Sequence, residues 1–258
     1  MNKSQLDDLF SWFDRYVEPF LNTDREGIKN IELKIVHTHK VCAAMSLLSA
    51  GENLTENEAL TASAIALLHD VGRFPQYRRW RTFLDSASDN HARLAIDVIR
   101  EEGILSSIDH SEQLLIEEAV RFHNLLAPPA RIQSPTRQYI NLIRDADKLD
   151  IWRVFIEQLA QPPEERASAA TLGLPDLPGM VSEQCIAALS SGSIVPLDTI
   201  TCLNDFKLLL ISWVYDLTYP TSRRILLERG YIPALAATLP GRADISEAVS
   251  RALASLSA

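Results

Sequence analysis

The chain has 258 residues, of which 47% are hydrophobic and 23% are charged, as is typical of a soluble globular protein with a substantial core. Its formal net charge of −9 argues against the basic face of a nucleic-acid-binding protein, so no nucleic-acid polymer is expected as a partner. The three cysteines lack the spacing of a zinc ribbon or a disulfide framework, and no stretch reads as a signal peptide or a membrane span. These features predict a cytoplasmic protein without a membrane segment.

Apolar residues recur every three or four positions, whereas strand-like alternation is scarce, so the sequence predicts an all-α protein. A capping box at Thr55-Glu-Asn-Glu58 opens a helix that ends near residue 70. The stretch Ser86 to Asp89 is expected to cap a later helix that stops at Gly103. The other helices predicted in this part of the chain span residues 6–20, 111–123 and 135–160.

The C-terminal part of the chain begins with a proline-rich stretch at residues 161–179, which predicts a loop. Helical patterns return at residues 181–189 and 204–219. We expect one domain over residues 1–258, with a core at about 28–160 and a helical extension at about 161–258. A homodimer formed through apolar surface on the extension is an open alternative, although the sequence contains no heptad pattern that predicts one.

Five predicted helices each place a histidine or an aspartate on their inward, apolar face. One hydrogen bond is enough to satisfy a single buried histidine, and that explanation stays open for each residue taken alone. Burying five such positions is costly without a shared partner, and a divalent metal ion supplies one. Imidazole together with carboxylate suits manganese, iron, zinc, cobalt or nickel better than calcium. The inward residues are His37, His69 with Asp70, His91, His123 and Asp147.

Three short motifs, in this order, resemble those of the HD-domain superfamily of metal-dependent phosphohydrolases. They are His37-Thr-His-Lys-Val41, His69-Asp70-Val-Gly-Arg73 and Asp145-Ala-Asp147-Lys-Leu149. His91 and His123 match the two extra histidines of the binuclear branch of that superfamily. The resemblance covers about residues 30–155 and extends to small bacterial HD proteins of similar length. It implies an HD-domain helical bundle with a C-terminal helical extension.

The resemblance also implies two divalent metal ions, drawn from Mn, Fe, Mg, Zn, Co or Ni, that share Asp70 as a bridging ligand. The implied ligands are His37, His69, Asp70 and Asp147 for the first ion, and Asp70, His91 and His123 for the second. His39 is an alternative to His37, but two residues further along a helix it faces about 200° away. Asp145 competes with Asp147, which the Ala-Asp-Lys-Leu pattern and the apolar neighbours favour.

Two residues beside the implied ligands, Arg73 and Lys148, are candidates for a catalytic role. Arg73 stands where many relatives have lysine, and its planar guanidinium can grip a phosphate. Lys148, like Asn124, is a candidate because it directly follows an implied ligand. The basic stretch at residues 77–81 allows two interpretations, an anion funnel or a solvated helix that pairs with nearby acids.

The activity that the resemblance implies is hydrolysis of a phosphomonoester or phosphodiester by a metal-bridged hydroxide. The expected partner is a small phosphorylated substrate, nucleotide-like or otherwise. An alternative is an HD-type di-iron oxygenase that acts on a small chelating substrate, because the same ligands accept iron. A non-catalytic regulator is a third hypothesis, which the complete ligand set disfavours. The chain has neither a GxxxxGK[ST] phosphate loop nor a GxGxxG turn, so those routes of nucleotide binding are not expected.

Overall fold

The computed structural model describes residues 1–257, and every regular element in that range is a helix, which confirms the all-α fold class. The first seven helices are α1 (Lys3–Val17), α2 (Arg25–Gly51), α3 (Glu56–Leu68), α4 (Arg73–Trp80), α5 (His91–Glu101), α6 (His110–Phe122) and α7 (Thr136–Leu159). The others are α8 (Ser168–Thr171), α9 (Glu183–Ser190), α10 (Leu203–Ser212), α11 (Pro220–Arg229), α12 (Tyr231–Ala236) and α13 (Ala243–Ser255). Within residues 1–257, no helix combines the length and the apolarity needed to cross a membrane.

The chain forms two compact units. The first comprises Met1–Asp150 together with Ala167–Ala169, and the second comprises Ile151–Arg166 and the chain from Ala170 onward. The first unit holds every residue implied as a metal ligand. The expectation of a single domain over residues 1–258 stays a prediction.

Helix α3 is the central helix of the first unit, because its C-terminal half is buried on all sides. Its residues Ala64 to Leu68 are fully buried, and it packs against α1, α2 and α6. Helix α2 adds an inward row of side chains that includes Val41, Met45 and Leu48, all fully buried. This core fixes the C-terminal ends of α3 and α6 and the middle of α2, which are the places that carry the implied ligands.

Local sequence signals set the helix boundaries of the first unit. The Thr55 hydroxyl accepts a hydrogen bond from the backbone N–H of Glu58, and the Glu58 carboxylate accepts one from the backbone N–H of Thr55, which confirms the capping box. Helix α5 begins later than predicted, because residues 85–87 form a 3₁₀ turn instead of a cap. Its N-cap is Asn90, whose side chain accepts from the backbone N–H of Arg93. This start places His91 at the first position of the helix.

Helix α10 is the core helix of the second unit, and all of its residues are buried. It packs against α9, α12 and α13. The predicted single helix over residues 204–219 is wrong, because α10 ends at Ser212 and a 3₁₀ turn at Trp213–Asp216 follows. The backbone is already extended at Leu217, after the 3₁₀ turn, and Pro220 then begins α11. The predicted loop at 161–179 contains the one-turn helix α8.

Candidate metal centre

The residues implied as metal ligands lie mainly at helix ends. His69 is the C-cap residue of α3, His91 opens α5, and His123 is the C-cap residue of α6. His37 lies within α2, and Asp147 lies within α7. The four histidines are at most 5% exposed, whereas the Asp147 side chain is 22% exposed. The fold therefore gathers one imidazole or carboxylate from each of five helices.

The first group of donor atoms contains two imidazoles and two carboxylates. His37 Nε2 lies 3.0 Å from Asp147 Oδ1 and 3.6 Å from Asp70 Oδ2. His69 Nε2 lies 3.7 Å from Asp70 Oδ2 and 3.8 Å from Asp147 Oδ1. The donor atoms of His37, His69 and Asp70 all lie within 4.8 Å of one another, and Asp147 Oδ1 lies beside both imidazoles.

The second group shares Asp70 with the first. His91 Nε2 lies 3.6 Å from Asp70 Oδ1 and 3.1 Å from His123 Nε2. The donor atoms of these three residues all lie within 4.8 Å of one another. One oxygen of Asp70 therefore faces His37 and His69 and the other faces His91, which is the arrangement that a bridging ligand requires.

The close approach of Asp70 to His91 depends on Gly72. A Cβ atom at Gly72 would lie 2.2 Å from the carbonyl oxygen of His91 and 2.4 Å from the backbone nitrogen of Ala95. Only glycine lets the turn after α3 pack directly on the first turn of α5. The glycine of the His-Asp-Val-Gly motif thus serves to bring the two halves of the site together.

Two of the four imidazoles are held by backbone carbonyl groups. His69 donates from Nδ1 to the carbonyl oxygen of Ala66, and His123 donates from Nδ1 to that of Val120, both at 2.7 Å. A carbonyl oxygen only accepts, so Nδ1 carries the proton and Nε2 presents a lone pair. Burial lowers the pKa of His69 and lowers that of His123 to about 4, so both rings are neutral at pH 7.

The other two imidazoles are held by carboxylates. His37 Nδ1 lies 2.7 Å from Asp150 Oδ2, and His91 Nδ1 lies 2.7 Å from Asp85 Oδ2. Carboxylate–histidine pairs of this kind orient imidazoles that bind metals. Burial lowers the pKa of His91 to about 4. Burial also lowers the pKa of His37, but the carboxylates of Asp147 and Asp150 outweigh it and raise that pKa above its usual value.

The buried polar atoms of the site fit a metal ion. Within residues 1–257, His37 Nε2, His69 Nε2 and Asp147 Oδ1 are buried without a partner in hydrogen-bonding geometry, which is costly. In the second group the Nε2 lone pairs of His91 and His123 face each other at 3.1 Å, a repulsive contact that a bound cation removes. Imidazole and carboxylate donors together suit divalent transition metals.

Asp70 is surrounded by positive charge on both sides. Lys34 Nζ lies 2.7 Å from its Oδ2, and Arg73 Nε lies 3.4 Å from its Oδ1. Burial raises the pKa of Asp70, but Lys34, His69 and Arg73 lower it far below its usual value. Asp70 is therefore ionised, as a bridging ligand must be.

Comparison with protein families gives an independent result for this region. Residues 35–152 match the family model described as HD domain. The chain carries an HD domain. HD domains are generally metal-dependent hydrolases, and the clustered histidines and aspartates fit divalent-metal binding. Neither the curated proteins nor the solved structures contain a match to the chain.

The HD domain places the remaining candidates in different surroundings. Arg73 donates from Nη1 to Asp85 Oδ1 at 2.9 Å and so points into the protein. Asn124 donates to Asp85 Oδ2 at 3.4 Å. Lys148 is 8% exposed on α7, and its catalytic role stays a prediction. His39 lies at the surface, 3.9 Å from Asp14, on the side of α2 away from His37.

The basic stretch at residues 77–81 pairs with the connection between α1 and α2. Arg78 donates to the carbonyl oxygen of Pro19 at 2.9 Å. Arg81 donates to both carboxylate oxygens of Asp24, at 2.6 and 2.5 Å. For these two arginines the structure favours pairing over an anion funnel.

Three residues that contact the implied ligands were not identified from the sequence: Lys34, Asp85 and Asp150. Lys34 precedes His37 by three positions, and Asp150 follows Asp147 by three, so helical spacing places each on the same face as a ligand. That spacing is the signal that identifies them. Asp85 lies on a short 3₁₀ turn, where no periodic pattern marks its direction.

Proposed function

We propose that the HD domain of this chain is a phosphohydrolase that holds two divalent metal ions and cleaves a small phosphomonoester or phosphodiester. The ligands would be His37, His69, Asp70 and Asp147 for the first ion, and Asp70, His91 and His123 for the second. The observation that carries the proposal is the position of Asp70, whose two oxygens face two different groups of imidazoles.

The charge of the site supports an anionic substrate. The carboxylates exceed the cationic side chains by two, and two divalent ions would change a net charge of −2 to +2. A site with this charge attracts phosphate esters and offsets the charge on their oxygens. The charged residues counted are Asp70, Asp85, Asp147 and Asp150, with Lys34 and Arg73.

Two bound ions would supply an activated water molecule and charge stabilisation for phosphoryl transfer. The residues of the chain prepare the site for that chemistry. The Nδ1 hydrogen bonds keep each imidazole in the tautomer that presents Nε2, and in the metal-free protein Lys34, His69 and Arg73 keep Asp70 ionised. Asp147 is the most exposed ligand, so the substrate would approach from its side.

Phosphate release from nucleotides, sugar phosphates and cyclic dinucleotides, with manganese added, tests the proposal. A coupled phosphatase reveals cleavage of diesters. We compare the wild type with Asp70→Asn, and with Asp97→Asn as the matched control, since Asp97 is a half-exposed carboxylate on α5 outside the site. We expect release by the wild type and by Asp97→Asn, and none by Asp70→Asn.

Failure of the wild type to release phosphate from any compound in this panel would contradict the hydrolase proposal. Oxygen uptake by protein loaded with iron would then favour the di-iron oxygenase alternative. Release that Asp70→Asn retains in full would show that the activity does not come from this site.

A further inference from the structure

Asp85, which lies outside the sequence motifs, is the centre of a hydrogen-bond network. It accepts from His91 Nδ1 at 2.7 Å, from Gln76 Nε2 at 2.9 Å, and from Arg73 Nη1 at 2.9 Å. Asn124, the residue after His123, adds a contact at 3.4 Å. Donors from α4, α5 and the end of α6 therefore converge on one carboxylate.

The Nη1 group of Arg73 makes all of its hydrogen bonds within this network. Its Nη1 lies within 2.9 Å of three acceptors, Asp85 Oδ1, Gln76 Oε1 and the carbonyl oxygen of Phe83. A guanidinium nitrogen of this kind carries two hydrogens, so three acceptors already exceed its donors. Its Nε lies 3.4 Å from Asp70 Oδ1. Arg73 thus connects the carboxylate that holds His91 with the carboxylate shared by both groups.

The two groups differ in how their carboxylate support is built. Asp150 supports His37 from α7, the helix that also provides Asp147, and its side chain is 2% exposed. Asp85 supports His91 from a three-residue turn, and its side chain is 32% exposed. The first group is supported by a long helix, whereas the second depends on contacts between side chains.

We propose that Arg73 and Asp85 are positioning residues for the second metal ion. Asp85 holds His91 with Nδ1 as donor, so that Nε2 faces His123 and Asp70. Arg73 fixes Asp85 relative to Asp70, and its Nη1 is not available to grip a substrate phosphate. This inference deepens the proposed two-ion function and rests on it.

Calorimetric titration of the metal-free full chain with Mn²⁺ tests the inference without any activity measurement. The wild type should bind two ions. Asp85→Asn should weaken the second ion by roughly 10–100-fold and leave the first unchanged. Asp150→Asn is the matched variant, since it should weaken the first ion by a similar factor and leave the second unchanged. Arg73→Met should resemble Asp85→Asn, and Asp85→Glu should recover part of the loss.

The His123→Gln background separates positioning from a general loss of structure. This variant lacks a ligand of the second ion, so adding Asp85→Asn should not affect the ion that remains. A further loss there would mean that Asp85 only stabilises the fold, which would overturn the inference.

The remaining outcomes separate the two proposals. Two ions bound by Asp85→Asn with wild-type affinity would also overturn the inference and leave the two-ion function standing. A wild type that binds one ion would overturn the two-ion proposal and this inference with it. A wild type that binds two ions but releases no phosphate would reject the hydrolase reaction alone.

Discussion

Divalent ions should stabilise the protein against heat, and Asp70→Asn should remove most of that stabilisation. In metal-free protein the first group contains three buried polar atoms without partners, and each such atom costs about 1–3 kcal/mol. Bound ions satisfy these atoms. Asp70 contributes to both groups, so its neutralisation should weaken both ions at once.

The size of the effect follows from mass action. At a free manganese concentration of about 100 times the dissociation constant, one ion stabilises the folded state by about 2.7 kcal/mol and two ions by about 5 kcal/mol. A chain of this size gains about 2–4 °C in Tm for each kcal/mol. The Tm of the wild type should therefore rise by about 10–20 °C, and that of Asp70→Asn by far less.

Differential scanning fluorimetry, in EDTA and in increasing manganese, measures both shifts. Asp97→Asn neutralises a carboxylate that is 47% exposed on α5, so it should respond like the wild type. A wild-type Tm that manganese does not change would refute the idea that ions satisfy the buried atoms. A full rise in Asp70→Asn would refute the bridging role.

Three further predictions concern packing and charge. Gly72→Ala should destabilise the protein by about 3 kcal/mol in urea unfolding, because its methyl group would overlap backbone atoms; Gly241→Ala, with open space around it, should change little. The pKa values of His91 and His123 are about 4, so the unfolded state binds more protons between pH 6.5 and 4. Metal-free protein should lose up to about 3 kcal/mol per histidine as pH falls through that window, and constant stability in urea titrations would contradict this. Lys34→Met removes a cation that competes with the first ion and should tighten manganese binding by about tenfold in calorimetry; unchanged or weaker binding would refute the competition.

The sequence predicted that the implied ligands come together, because each lies on a helix or directly after one. Helical periodicity marks His37 and Asp147 as inward, and the structure places their side chains 3.0 Å apart. The same periodicity places Lys34 and Asp150 on the inward face of their helices, since each lies three positions from an implied ligand. Their contacts were predictable in principle, once a charged residue on an inward face is treated as a partner of the site.

Contacts made by irregular segments could not be predicted in this way. Asp85 lies on a 3₁₀ turn, and its direction depends on Gln76 and Arg73, which precede it by nine and twelve positions. The end of α10 at Ser212 was also missed, because the apolar pattern continues beyond it. Tertiary packing determines the direction of Asp85 and the end of α10, and a periodic sequence pattern contains no information about that packing.

The imidazoles at the ends of α3 and α6 have a consequence for local unfolding. The last carbonyl groups of a helix lack partners within it, and the Nδ1 hydrogen bonds of His69 and His123 satisfy one such group in each helix. The ring that would bind an ion therefore also closes the last turn of its own helix. Opening of that turn would withdraw a metal ligand, and a bound ion would resist the opening. We therefore expect a bound metal to suppress fraying of these two helix ends and its removal to increase that fraying.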